Sequence, residues 1–209
     1  MRSFFAGLSL CLILVSGWLA FTAGAVEPVS RNIVYVHVPA AICSLVCFCV
    51  LFVCSIQYLR TRRKMWDYAA AASAEVGLVL ATVLNVTGSI FAYAQWGVWW
   101  TMSPKLVSSG VMLFLYAAYI LLRASLADER RREQICAVFG IIAFIDVPFV
   151  LISARFVRDI HVPSFSFQSG VQGAAFWLGL AGTLFLAVLL IWIRADILKI
   201  EHRISMMDY

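Results

Sequence analysis

Six long apolar runs, at roughly 4–26, 38–58, 68–92, 106–122, 135–154 and 172–193, alternate with short polar linkers along the chain. Crossing the hydrocarbon layer takes about 20 apolar residues in a helix, so each run predicts one membrane span. Together they use most of the 209 residues. The fold class expected is therefore all-α integral membrane, a single domain over 1–209 with six transmembrane helices.

Inside the runs, small and polar residues recur at helical spacing. The third carries Ala69, Ser73, Gly77, Ala81, Asn85 and Ser89, and the sixth carries Ala175, Gly179 and Thr183. Such stripes let a neighbouring helix approach closely in lipid. Cys43, Cys47 and Cys54 share one face of the second run and read as small apolar packing residues rather than a soft-metal site. All six cysteines lie within predicted spans and none forms a C-x-x-C, which argues against structural disulfides. Glu75, one turn into the third span, reads as a structural interfacial acid. Asp146 precedes Pro148 by two residues, and the pair predicts a kink satisfied by polar neighbours.

Composition agrees with the pattern. The chain is 63% hydrophobic and 13% charged, against about half and a quarter for soluble domains. No room is left for a soluble ATPase or dinucleotide-binding lobe, and no G-x-x-x-x-G-K-[ST] loop occurs. Of the 16 basic residues, 12 fall on one side: Arg2, the linkers after the second and fourth spans, and the C-terminal tail. The positive-inside rule then makes both termini cytoplasmic. The net charge of +5 is a consequence of topology and implies no nucleic-acid partner. Ala23-Gly24-Ala25 resembles a signal-peptide cleavage site, but the preceding run is longer than a typical signal core, which favours a retained first helix.

The candidate chemistry lies on the opposite, outer side. Two of the three histidines, His37 and His161, fall there. Pro39 suits a helix start and would put the His37 imidazole at the membrane surface, whereas His202 falls in the cytoplasmic tail and reads as solvated. The second outer loop holds Trp96, Trp99 and Trp100 after Tyr93, followed by Lys105. Interfacial histidines can be structural, and tryptophans populate the interfacial belt. A flat aromatic ligand with negative charge also fits: indoles would cover its faces or edges, and Lys105, Arg31, Arg155 or Arg158 would pair with carboxylates. Haem is such a molecule, with two histidines available as axial iron ligands. On the residues alone, a permease subunit for another substrate and a haem-bearing electron-transfer subunit stay open beside it.

The chain also resembles the haem exporter protein C family of cytochrome c maturation over about residues 30–195. Tyr35-Val36-His37-Val38-Pro39-Ala40-Ala41 matches that family's first-histidine motif. Thr87-Gly88-Ser89 followed by Trp96-Gly97-Val98-Trp99-Trp100 matches the start of its tryptophan-rich signature. Leu113-Phe114-Leu115-Tyr116, Val147-Pro148 and the spacing from Pro148 to His161 fall in order after it. The resemblance implies a bacterial inner-membrane protein whose His37 and His161 ligate haem b as cargo on the periplasmic side. It places the tryptophan loop against the haem edge. It also implies a periplasmic haem chaperone as receiver, with ATP-binding cassette subunits and a small single-span subunit alongside. Haem would be bound and passed on unchanged, so no enzyme activity is expected. One departure stands out: where the family signature continues with tryptophan–aspartate, this chain has Met102-Ser103, which bears on how the loop grips haem or meets the chaperone.

Overall fold

The computed structural model describes residues 2–22, 32–156 and 169–207, and all regular structure among them is helical. The helices are α1 (Arg2–Thr22), α2 (Val34–Thr61), α3 (Lys64–Trp96), α4 (Pro104–Ser125), α5 (Glu129–Ala143), α6 (Asp146–Phe156) and α7 (Gly170–Ser205). Six segments are long and apolar enough to cross a membrane, with α5 and the start of α6 forming one of them. The protein is an all-α, multi-pass membrane protein.

The expected spans are all present, but several helices outrun them. α3 gains a turn at each end, and α7 continues to Ser205 instead of stopping near 193. The added turns carry charged side chains held by partners on other helices. Arg194 of α7 donates to Glu75 of α3 at 2.6 and 3.1 Å, so Glu75 has the structural role expected of it. Arg2 of α1 pairs with Asp196. Hydropathy marks where lipid contact ends, and these ion pairs extend the backbone helix past that point.

The centre of the bundle is α2 against α3. Gly77 lets the two approach so closely that a Cβ there would stand 2.6 Å from the Phe48 ring. Phe48 in turn stacks on Tyr116 of α4, centroids 3.5 Å apart. Cys43, Cys47 and Cys54 are buried in this packing. α1 lies on α7 by the same device: Cβ atoms at Gly179 and Gly182 would reach 2.6 Å from Ser16 Oγ and 2.8 Å from Ile13 Cγ1. Ser16 also donates to the Ala175 carbonyl at 2.7 Å. Both small-residue stripes are thus helix–helix contact lines.

The predicted kink is real. α5 ends at Ala143 and α6 begins at Asp146. Pro148 has no N–H to give the Phe144 carbonyl one turn back, and that carbonyl accepts from Val147 N at 3.1 Å instead. Among the described residues, the hydrogen bonding expected from polar neighbours is incomplete. Asp146 Oδ2 is buried with no hydrogen-bond partner among the described residues, beside an apolar cleft of about 360 Å³ lined by Leu115, Phe139, Ile142 and Phe149.

Charge collects at one end of the bundle. Arg123 of α4 grips Asp67 of α3 through two nitrogens at 2.8 and 2.5 Å. Tyr58 of α2 donates to Glu133 of α5 at 2.6 Å, and Lys64 meets Glu129 at 2.8 Å. His202 belongs to this cluster and is not a solvated tail residue. Its Nδ1 donates to Glu129 at 2.9 Å while Nε2 accepts from Lys64 at 3.0 Å. The tail reading missed it because α7 continues far enough to lay the ring against α3 and α5.

Candidate functional site at the histidine and tryptophan end

The opposite end is built from the start of α2, the end of α3, the start of α4 and the start of α7. α2 begins at Val34, so Pro39 is inside the helix rather than at its start. Tyr35 is the reason: it is buried against Ala175 and Phe176 of α7, which draws this first turn into the bundle. Pro39 is therefore not the helix start expected of it, and His37, in the first turn of α2, is half-buried between helices.

Two consecutive residues of α3 receive its ring. His37 Nδ1 lies 3.0 Å from Thr87 Oγ1. A Cβ at Gly88 would come within 3.1 Å of His37 Cε1, so the imidazole sits against bare backbone. Thr87 Oγ1 also lies 2.6 Å from the Val83 carbonyl and 3.2 Å from that of Leu84. Two residues nearer the middle of the bundle, Asn85 donates to the Ser109 carbonyl of α4 at 3.4 Å and to the Ala81 carbonyl at 2.8 Å. The bond to Ser109 ties α3 to α4 just beneath the histidine pocket.

Trp96 is the last residue of α3, eight positions and therefore about 12 Å along the helix from Gly88. Gly97 ends the helix with φ 72° and returns its N–H to the Tyr93 carbonyl at 2.9 Å. This left-handed cap is cheap only for glycine, and it turns the chain across the end of the bundle. Each tryptophan then has its own seat. Trp96 meets Phe91 edge to face, centroids 5.7 Å apart. Trp99 stacks on Tyr93 at 4.4 Å and 12°. The Trp100 ring covers Gly110 of α4, where a Cβ would lie 3.2 Å away. Trp99 nevertheless stays 59% exposed, leaving most of one indole open to a ligand or to lipid.

The departure at Met102-Ser103 has a physical explanation in part. Ser103 is the N-cap of α4, its hydroxyl accepting from Leu106 N at 3.4 Å ahead of Pro104 at the first helical position. Serine and aspartate are both good N-caps, so the helix start survives the exchange. Met102 is 86% exposed and takes part in no such fixture.

Lys105 lies in the first turn of α4, half-buried. Arg155 belongs to the last turn of α6, and its side chain lies outside the described set. His161, Arg158 and Arg31 also lie outside the described residues. Of the sequence-predicted site, the structure therefore places His37, the three tryptophans and Lys105 at one end of the bundle. The sequence reading missed Thr87 and Gly88 as neighbours of His37, although both stand in the motif it singled out. Among the described residues no group of three or more metal-ligating side chains occurs.

A family model described as heme exporter protein C matches residues 1–208. The heme exporter protein C of Escherichia coli (strain K12) is 32% identical over 145 residues, which are 69% of this chain and 59% of that protein. That of Paracoccus denitrificans (strain Pd 1222) is 30% identical over 209 residues, covering 92% of this chain and 84% of its own. The match to the E. coli relative thus spans about three-fifths of its length. With six membrane-spanning segments, a family model matching residues 1–208 and a relative 30% identical over 92% of this chain, the chain belongs to the heme exporter protein C family.

Proposed function

We propose that this protein binds haem at the periplasmic face of the bacterial inner membrane and presents it to a periplasmic haem chaperone for cytochrome c maturation. In this reading residues 1–209 act as one haem-handling unit. The charged end of the bundle faces the cytoplasm with both termini, and the tryptophan end faces the periplasm. His37 and His161 supply the two axial nitrogens. Trp96, Trp99 and Trp100 cover the outer edge of the macrocycle, and Lys105, Arg155 and Arg158 pair with its propionates, since charge-assisted hydrogen bonds are the strong kind. ATP-binding cassette subunits and a small single-span subunit would supply energy and assembly. Cargo leaves as it arrived, so the protein is a carrier and not an enzyme.

The observation that carries this reading is the setting of His37. A half-buried imidazole is held by its Nδ1 to Thr87 and laid against Gly88, at the same end as an exposed indole. Metal-bound histidines are held in this way, by a hydrogen bond through the nitrogen that does not meet the metal. Haem titrated into the detergent-purified protein should give a stoichiometric, six-coordinate absorption spectrum. A protein that takes up no haem, or only a nonsaturating haze of it, would refute the proposal.

A further inference from the structure

We infer that Thr87 is a positioning residue that fixes which nitrogen of His37 meets iron; this rests on the reading of His37 as a haem ligand. Thr87 Oγ1 stands 2.6 Å from the Val83 carbonyl oxygen. Two oxygens that close need a proton between them, and a hydroxyl has only one to give. The Thr87 proton is thereby committed one turn back along its own helix. Toward His37, whose Nδ1 lies 3.0 Å away, the hydroxyl can only accept.

Nδ1 must then carry the ring proton, and in a neutral imidazole the in-plane lone pair stands at Nε2. Turning the ring over about its Cβ–Cγ bond would point a C–H at the hydroxyl and lose the hydrogen bond. Gly88 completes the seat, because any side chain there would push on Cε1 at 3.1 Å. Thr87 therefore sets both the tautomer and the ring plane, though fifty residues separate it from His37.

The nature of the acceptor matters for a carrier. Histidines that hold a permanent metal often lean on a carboxylate, which makes the imidazole a stronger donor. A neutral hydroxyl that has already spent its proton is a weaker acceptor than a carboxylate. It orients the ligand and tightens it less than a carboxylate would, which suits an iron that has to leave.

The test uses the full chain in mild detergent, loaded with haem, as parent, Thr87→Val, Thr87→Ser and His37→Gly. The readouts are the midpoint potential and the rate of haem transfer to excess apomyoglobin. Thr87→Val keeps the shape and removes the acceptor, so the potential should rise as the ligand becomes a poorer donor. Transfer should accelerate about tenfold, the lower end of typical losses when an outer-shell partner is removed. Thr87→Ser should keep the parent values. If His37→Gly leaves the parent spectrum, the ligand reading itself fails. If His37→Gly alters the spectrum but Thr87→Val keeps the parent potential and rate, or Thr87→Ser is as impaired as Thr87→Val, the role of Thr87 is overturned and that of His37 stands. Nitrogen-15 shifts of the haem-free parent, assigned by comparison with His37→Gly, need no Thr87 variant. They should show His37 protonated at Nδ1, and protonation at Nε2 alone overturns the inference.

Discussion

The imidazole of His37 rests on the backbone of Gly88, where an added Cβ would stand 3.1 Å from Cε1 and 3.7 Å from Nδ1. Such a spacing obliges the ring to give way by a few tenths of an ångström for alanine and much further for a branched or longer side chain. Gly88→Leu is therefore expected to push the ring off Thr87. Haem occupancy should fall and the spectrum should gain a five-coordinate component, with helix content by circular dichroism unchanged. A parent spectrum in Gly88→Leu would show that the ring position is not what holds the haem.

The Asp67–Arg123 pair joins α3 to α4 at the other end, with side chains 4% and 13% exposed. Removing one partner of a buried, doubly bonded pair leaves the other charge stranded and costs about 3–5 kcal/mol. Asp67→Asn or Arg123→Met should each lower the thermal midpoint in detergent markedly. The double replacement Asp67→Leu with Arg123→Met should recover much of the loss, because no unpaired charge remains. Single variants as stable as the parent would mean that the pair is solvated in the working protein.

Gly179 and Gly182 set the contact between α1 and α7, where Cβ atoms would fall 2.6 Å from Ser16 Oγ and 2.8 Å from Ile13 Cγ1. Gly182→Leu should separate the two helices. A disulfide engineered between α1 and α7 should then form more slowly than in the parent sequence. An equal rate would contradict the packing described.

Much of this architecture was legible in the chain itself. The six spans follow from apolar length, and the stripes through Gly77 and Gly179 mark true contact lines because close approach needs small residues wherever two helices meet. The break before Pro148 follows from one missing N–H. Other features were not legible, each for a local reason. Pro39 looked like a helix start, but burial of Tyr35 against α7 carries the helix one turn further. His202 looked solvated because hydropathy cannot see that Glu129 and Lys64 wait for it across the bundle. Thr87 was visible only as a motif letter, since its meaning depends on a partner fifty positions away. Ser103 looked like a loss until its hydroxyl was seen capping α4.

The orientation proposed rests on the split of basic residues, 12 against 4. Reporters fused after Lys64, Arg132 and Tyr209 should score as cytoplasmic, and those placed within 97–103 and 157–168 as periplasmic. A periplasmic score for the linker at 61–64 would invert the protein and take the histidines to the wrong compartment.

The central claim is that His37 and His161 both donate to iron, and the absorption spectrum of single histidine variants tests it most directly. His37→Gly and His161→Gly should each vacate one axial position and shift the haem toward a five-coordinate or water-ligated form. Added imidazole should restore the six-coordinate spectrum, since it returns the nitrogen without the chain. Loss of both should abolish stable binding, because indoles and basic side chains offer stacking and charge but no bond to iron. His202→Gly, whose ring serves the ion-pair cluster at the far end, should keep the parent spectrum even if it lowers stability. If His37→Gly and His161→Gly both keep the parent spectrum as well, iron is ligated elsewhere and the account is wrong.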